Sequence, residues 1–149
     1  MLIRIANPDD VPELFIVRTS VKESLLTIEE MVSIGITHTS LASMIKSGSA
    51  RAWCAESDGR IVGFSMATLN DREIFALFVL PEYENRGYGS ALLEKAVTWL
   101  AQAGDDSIWL IVEPGVRAFS FYKKRGWRET GMSPEEEVLQ EDVYLEYRP

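Results

Sequence analysis

A glycine-bearing loop separates an apolar run from a long amphipathic segment in residues 74–93, IFALFVLPEYENRGYGSALL. Gly87 and Gly89 have no Cβ atom, so the backbone can adopt unusual dihedral angles there and approach a ligand closely. The amides of the loop and of the helix N-terminus that follows are unpaired and favour an anion. Arg86 adds a mobile cationic donor. A G-x-G sequence alone indicates only a turn, but the order of strand, loop and helix predicts a site for a phosphate-sized anion.

A second segment with chemical potential, AFSFYKKRGW, spans residues 118–127. Helical spacing places Phe119, Tyr122 and Lys123 on one side of a helix. A buried tyrosine usually directs its hydroxyl to a partner, so Tyr122 could serve either as a structural anchor or as a proton donor. Glu113 follows an apolar strand just upstream. A carboxylate at the end of a strand, near the mouth of a ligand site, could act as a general base.

The formal net charge of −8 argues against nucleic acid as a partner, because binding to phosphates requires clustered lysine and arginine. The same charge slightly favours a cationic or amine-bearing substrate through electrostatic steering. An anionic cofactor would then depend on local basic groups. A basic cluster close together in the sequence consists of Arg117, Lys123, Lys124, Arg125 and Arg128. A solvated basic helix face would account for this cluster equally well.

Length and composition indicate one soluble globular domain, residues 1–149. No apolar run approaches the ~20 residues that a membrane helix needs. The first ten residues resemble a strand running into acidic residues, so we expect no signal peptide and no membrane association. The single cysteine, Cys54, excludes an internal disulfide and favours a cytoplasmic location. Its apolar strand neighbours indicate core packing.

The predicted elements follow the order β-α-α-β-β-β-α-β-α-β-β, which indicates an α/β layered domain with a mixed sheet and helices on both faces. Asn7 and Pro8 mark a helix start, and a capping pattern at 27–30 marks another. The first helix carries a stripe at helical spacing, consisting of Val11, Leu14, Phe15 and Arg18. Asp58-Gly59 predicts a hairpin turn.

The strand at 73–80 is almost wholly apolar, which predicts that other elements cover both of its faces. With the helix that follows and the strand at 107–112, it should form a parallel crossover unit. Ligands of open α/β sheets bind beyond the carboxyl ends of strands, which places the glycine loop at the mouth of a site.

Together these segments resemble the GNAT superfamily of acetyl-CoA-dependent N-acetyltransferases. In that family a strand continues through V-x-P-x-x-x-x-x-G-x-G into a long helix, and a later signature reads N-x-x-A-x-x-F-Y-x-x-x-G-F. The first motif is matched by Val79, Pro81, Gly87 and Gly89. The second is matched by Ala118, Phe121, Tyr122 and Gly126 within GVRAFSFYKKRGW. DGRIVGF at 58–64 is similar to the second hairpin of the family, and the likeness extends from about Asp58 to Trp127.

The resemblance implies a mixed, mostly antiparallel twisted sheet of six to seven strands and acetyl-CoA as co-substrate, with no metal. Main-chain groups of one strand would pair with the pantetheine arm and polarise the thioester carbonyl, and loop amides would bind the pyrophosphate. The implied cofactor-binding residues are Leu77, Phe78, Val79, Asn85, Arg86, Gly87, Tyr88, Gly89 and Ser90. Tyr122 would protonate the departing thiolate. The amine would attack the acetyl group directly, which requires a neutral amine and hence a base or a water chain.

Three positions depart from the family pattern. Glu84 replaces the usual glutamine or arginine, and a carboxylate there should weaken cofactor binding without abolishing it, since the amides are unaffected. Gly115 replaces asparagine and Trp127 replaces phenylalanine. Glu113 and, further from the ligand end, Glu73 are the candidate bases, although the sequence favours a solvated surface role for each acid.

The sequence leaves two main hypotheses open. The first is an N-acetyltransferase for a small amine or for the amino group of a peptide or protein. The second is a non-catalytic acyl-CoA-binding module, a sensor or partner subunit; the presence of Tyr122 favours the enzyme. A different nucleotide-phosphate binder would leave residues 118–127 unexplained. The chain could be a monomer, or a homodimer paired through its last strands.

Overall fold

The structure, a computed structural model, describes residues 1–20, 28–33, 35–112, 117–130 and 143–149. The strands are β1 (Leu2–Ile5), β2 (Ala50–Ser57), β3 (Arg60–Thr68), β4 (Glu73–Val79), β5 (Ile108–Val112), β6 (Arg128–Thr130) and β7 (Val143–Tyr147). The helices are α1 (Val11–Thr19), α2 (Ile28–Ser33), α3 (His38–Ser47), α4 (Tyr88–Gln102) and α5 (Arg117–Lys123), with 3₁₀ turns at Pro8–Asp10 and Pro81–Tyr83.

The strands form one seven-stranded sheet in the order β1-β2-β3-β4-β5-β7-β6. Neighbouring strands are antiparallel except for β4 and β5, which are parallel. The prediction of a mixed, mostly antiparallel sheet of six to seven strands is therefore confirmed. The hairpin between β2 and β3 turns at Asp58 and Gly59, whose φ angles of 52° and 78° match a two-residue turn of the kind that Asp-Gly favours.

Helices lie on both faces of the sheet, as the element order predicted. On one face, the Ser65 hydroxyl of β3 donates a 3.0 Å hydrogen bond to the Leu92 carbonyl oxygen of α4. Leu77 pairs with Ser65, whereas Phe78 pairs with Phe64. Because successive residues of a strand point to opposite faces, Leu77 faces α4 and Phe78 faces the side of α1. Side chains on one face of β4 therefore pack toward α4, and those on the other face pack toward α1.

The helix start that the sequence marks at Asn7 and the helix stop that it marks at Gly48 are both observed. The Asn7 side chain accepts a hydrogen bond from the Asp9 amide, and Asp10 accepts one from the Asn7 amide, so both unpaired amides ahead of α1 are satisfied. Thr37 and Ser40 make the same reciprocal pair ahead of α3. α3 ends at Gly48, which adopts the left-handed conformation. The capping pattern at 27–30 begins outside the described residues.

Cys54 lies in the core, as its alternation with apolar residues predicted. Its side chain is 0% exposed, and burial raises the pKa of the thiol to about 12. Two of the tryptophans, Trp53 and Trp127, are also buried in the core. Among the described residues, no helix combines the length and the apolar character needed to cross a membrane.

Strands β4 and β5 diverge soon after they meet. Glu73 and Trp109 form the registered pair between them, whereas β4 follows β3 through six registered pairs. The β3–β4 register shifts between Met66 and Ala67, which makes Phe75 an extra residue in β4. A bulge of this kind bends its strand, so the bend in β4 coincides with its departure from β5.

The diverging strands β4 and β5 enclose a wedge that is closed at the Glu73–Trp109 pair. Arg72 joins the elements that meet at this closed end. Its guanidinium donates four hydrogen bonds of 2.7–3.3 Å to main-chain carbonyl oxygens, and its own carbonyl oxygen accepts one from the Trp109 amide. The four acceptors belong to Leu100, Gly104, Asp106 and Ser107. The start of β4, the end of α4 and the approach to β5 are therefore joined at one side chain.

Gly63 sets how closely α4 approaches the sheet. A Cβ atom at Gly63 would lie 3.0 Å from the Phe78 carbonyl oxygen and 3.2 Å from Leu92 Cδ1. The Phe78 oxygen belongs to the main chain and cannot rotate away. We therefore expect Gly63→Ala to lower the free energy of unfolding by roughly 1–3 kcal/mol, which overpacking typically costs, measured by urea denaturation.

Gly89→Ala is the matched control for this prediction. Its Cβ would lie 3.6 Å from the Phe121 ring, an ordinary contact, within the first turn of α4. Since alanine favours a helix over glycine by up to about 1 kcal/mol, this variant should be neutral or more stable. Equal losses in both variants would show that the spacing at Gly63 does not limit the packing of α4.

Candidate active site

The carboxyl-terminal half of β4 forms the first part of the candidate site. Leu77, Phe78 and Val79 pair with β3 on one side and are half-buried. On the other side, the described residues provide no registered pair beyond Glu73, because β5 has diverged. Main-chain amide and carbonyl groups along this edge are therefore open to an extended ligand, in the manner of an added strand. The sequence predicted that other elements cover both faces of this strand. Within β4, only the side chains of Ile74 and Ala76 are buried.

The loop that follows β4 leads into α4, whose N-terminus has no side-chain cap. Asn85 and Gly87 have positive φ angles of 61° and 88°, and Gly87 is the N-cap of α4. No side chain caps this end, and the first turn of the helix contains no acidic residue. The first amides of a helix are unpaired and carry the positive end of its dipole. The geometry fits the predicted anion site.

The reason for a glycine at position 89 differs from the one that the sequence suggested. The sequence suggested unusual dihedral angles at both glycines, and this is right for Gly87 and wrong for Gly89, whose φ lies outside the left-handed region. The backbone of Gly89 instead packs closely against side chains of β4 and α5. A methyl group there would contact the Phe121 ring at 3.6 Å and Val79 Cγ2 at 4.0 Å. The end of β4, the start of α4 and α5 therefore converge at Gly89.

Arg125 connects the two sequence segments that carry the motifs. One of its guanidinium nitrogens donates a 2.6 Å hydrogen bond to the Ser90 hydroxyl, and the other donates a 3.0 Å bond to the Phe121 carbonyl oxygen. The guanidinium also stacks on the Phe121 ring, 3.6 Å from its centroid. A cation is thus held beside the first turn of α4. Arg86, on the loop itself, is exposed and lies 5.2 Å from the Tyr83 ring centroid.

The rest of the basic cluster divides between other partners and solvent. Arg128 pairs with Glu146 at 2.8 Å, and Lys123 lies 3.9 Å from Glu129. Lys124 is exposed, and the side chain of Arg117 lies outside the described residues. Of the cluster's described side chains, Arg125 is the one with a hydrogen bond to the α4 N-terminus.

Tyr122 is 6% exposed and is packed between two aromatic rings. Phe121 and Trp127 lie edge-on to it, with centroids at 5.3 Å and 5.9 Å. Burial raises the pKa of the Tyr122 hydroxyl, so the phenol keeps its proton at neutral pH. The Tyr122 phenol therefore carries the proton that a donor needs, although burial also makes it a weaker acid than an exposed tyrosine. The role of proton donor stays a prediction.

The acidic residues that the sequence analysis singled out lie at different places in the fold. Glu73 opens β4, four residues before Leu77, and strand geometry puts the two about 13 Å apart. This distance is too long for direct proton transfer at the ligand edge. Glu84 is half-buried at the entrance to the loop. Glu113 and Gly115 lie outside the described residues, but β5 ends at Val112, immediately before Glu113.

The sequence reasoning missed Arg18 as a site residue. Its guanidinium lies over the ring of Phe78, with 4.7 Å from Cζ to the centroid. The available signal was a charged residue at the fourth position of an otherwise buried helical stripe. The described residues contain no group of three or more histidine, cysteine or acidic side chains arranged to hold a metal ion.

Comparison with known proteins agrees with this architecture. The profile of the acetyltransferase (GNAT) family matches residues 22–127, more than half of the chain. The chain belongs to this family. Both segments that carry the sequence resemblance fall within the match.

Curated relatives share about half of their length with this GNAT chain. An uncharacterized N-acetyltransferase of Mycobacterium tuberculosis is 37% identical over 81 residues, covering 52% of each chain. The [ribosomal protein bS18]-alanine N-acetyltransferase of Haemophilus influenzae is 31% identical over 74 residues, covering 48% of this chain and 51% of the relative.

Solved structures are similar over the full length. The PaiA N-acetyltransferase of Thermoplasma acidophilum, in complex with coenzyme A, has a TM-score of 0.80 at 21% identity, and 100% of each chain is covered. A ribosomal-protein-alanine N-acetyltransferase of Brucella melitensis has a TM-score of 0.76 at 18% identity, again with 100% of each chain covered. These likenesses establish the GNAT fold.

Proposed function

We propose that this chain is an N-acetyltransferase that transfers the acetyl group of acetyl-CoA directly to a primary amine of a small molecule, peptide or protein. The observation that carries the proposal is the convergence at Gly89 of the end of β4, the first turn of α4 and Phe121 of α5. This contact brings an open strand edge, an uncapped helix N-terminus and the segment of the neutral Tyr122 to one end of the sheet.

The proposed cofactor contacts are mainly to the backbone. The pantetheine arm pairs with the open edge of β4, and the pyrophosphate accepts hydrogen bonds from the loop and the first turn of α4. The residues are Leu77, Phe78, Val79, Asn85, Arg86, Gly87, Tyr88, Gly89 and Ser90. We add Arg125, whose guanidinium supplies a positive charge beside Ser90. The coenzyme A complex of the PaiA relative supports a coenzyme A site in this fold.

The chemistry then needs few side chains. The amine nitrogen attacks the thioester carbonyl carbon, the carbon–sulfur bond breaks, and Tyr122 gives its proton to the departing thiolate. An amide of β4 stabilises the negative charge that develops on the carbonyl oxygen. Glu113 is the proposed base that removes the amine proton, directly or through water. Because β5 is parallel to β4, the end of β5 at Val112 lies toward the ligand end of the sheet.

Binding of the co-substrate should stabilise the protein. At about 100 times its dissociation constant, acetyl-CoA should raise Tm by roughly 5–10 °C, since saturation at that level contributes about 2.7 kcal/mol. NAD and ATP, which lack the pantetheine arm, should produce no comparable shift in differential scanning fluorimetry. If millimolar acetyl-CoA leaves Tm unchanged, both the enzyme and the non-catalytic acyl-CoA-binding module are excluded.

Tyr122→Phe tests the proton donor. The ring packing is kept and the proton is lost, so turnover should fall by roughly 100-fold or more while the KM for acetyl-CoA stays nearly constant. Release of the coenzyme A thiol gives the rate. Tyr147→Phe is the control, because Tyr147 belongs to the same aromatic cluster but pairs with Ile108 at the opposite end of β5. Unchanged turnover in Tyr122→Phe would remove the assigned role.

Arg125→Gln tests the cation beside α4. Loss of one charge-assisted contact should weaken acetyl-CoA binding by about tenfold, and the difference should shrink at high salt. Arg128→Gln is the matched control, since Arg128 comes from the same basic cluster but pairs with Glu146. Calorimetric titration measures both constants. Equal affinities for the two variants would show that Arg125 only holds α5 against α4.

A further inference from the structure

Arg18 presents a cation on the face of β4 opposite the phosphate loop. It lies in the last turn of α1, with its guanidinium 4.7 Å from the centroid of Phe78. Phe78 in turn lies beside Phe64, with 5.6 Å between their ring centroids. Phe78 is also the middle residue of the strand segment proposed to contact the thioester. Arg18 therefore stands over the reacting end of β4.

Among the described residues, the Arg18 guanidinium has no polar partner. Within the same part of the chain, its buried Nε atom has no hydrogen-bond acceptor and Arg18 forms no ion pair. The other described side-chain atom in this condition is the uncharged Thr68 hydroxyl. Buried cationic donors are normally paired, because leaving one unsatisfied is costly. Stacking on Phe78 compensates for only part of that cost.

Burial also lowers the pKa of the Arg18 guanidinium. The group stays charged at neutral pH, because an arginine begins far above that range. Arg18 as a whole is half-buried, so an anion that binds the exposed part of its side chain would offset part of the cost of burying the charge. The site is thus arranged for a ligand group of opposite charge.

The phosphates of coenzyme A are not this anion. Their proposed site is at the N-terminus of α4, and α4 packs on the face that carries Ser65 and Leu77. Phe78 and Arg18 occupy the other face. The sheet separates the two cations, so the ligand of Arg18 must approach from the side of α1.

We propose that Arg18 binds a carboxylate of the acceptor, and that the acceptors of this enzyme are primary amines which also carry a carboxylate. The proposal rests on the function proposed above. A planar guanidinium can donate two parallel hydrogen bonds to a carboxylate, which would orient the acceptor amine as well as bind the acceptor. It also revises the expectation of a cationic acceptor, because the net charge of −8 acts over the whole surface, whereas Arg18 acts locally.

Matched pairs of probes test this class. Ligand-observed NMR on the protein loaded with coenzyme A compares each carboxylate with its carboxamide: β-alanine and 4-aminobutyrate with their amides, glutamate with its diamide, and a short C-terminally amidated peptide with glutamate or glutamine at its second position. At least one carboxylate should bind about tenfold or more tightly than its carboxamide, the size of effect expected for a charge-assisted contact.

Arg18→Gln should remove that preference, and Arg18→Lys should keep part of it. Arg51→Gln is the matched control, because Arg51 stacks on Trp99 with 5.3 Å from Cζ to the ring centroid and belongs to β2, away from the ligand edge. With acetyl-CoA, Arg18→Gln should raise the KM for the preferred acceptor more than it lowers kcat. Folding of each variant is checked by the Tm shift with acetyl-CoA.

Three results would overturn the proposal. They are equal binding of carboxylate and carboxamide, absence of binding by every carboxylate in the panel, and a preference that survives in Arg18→Gln. Each of these can occur while acetyl-CoA still raises Tm, in which case only the acceptor class is wrong. Absence of the acetyl-CoA shift in the unsubstituted chain would instead refute the proposed function.

Discussion

The hydrogen bonds of Arg72 join the beginning of β4, the end of α4 and the approach to β5. Beyond Arg72, β4 bends at Phe75 and leaves β5, so the two strands form a wedge that is closed at the Arg72 end. The candidate site depends on this wedge. The open edge of β4 exists only because its neighbour departs. The loop and α4 then carry the chain back from the open end to the closed one, which places the helix N-terminus beside the edge.

The wedge also explains how one strand can serve two ligands. Its backbone edge is open along the sheet, while its side chains point alternately toward α4 and toward α1. The groups proposed to bind phosphate and Gly63 lie on the α4 side, and Arg18 lies on the other. In the proposed reaction the cofactor and the acceptor therefore meet at β4 without competing for the same side chains.

Periodicity and turn chemistry predicted most of the fold, because helix caps and the Asp58-Gly59 hairpin are local features. The unusual backbone at Gly87 was also predicted, whereas the role of Tyr122 stays a prediction that comes from its position in a motif. The divergence of β4 was not predicted, because an apolar run does not reveal which neighbour will leave it. The contact between Ser90 and Arg125 joins residues 35 positions apart. Whether the Arg18 Nε atom has an acceptor among the described residues depends on what α1 packs against. Such features arise only from tertiary structure.

The burial of Cys54 has a practical consequence for thiol-release assays on this protein. A thiol reacts as its thiolate, and a thiol with a pKa of about 12 and no exposed surface supplies almost none at neutral pH. Cys54 is the only cysteine of the chain. Maleimides and aromatic disulfides should therefore react with released coenzyme A while leaving the folded protein unlabelled. Rapid labelling of the protein would in turn report that β2 has come away from the core.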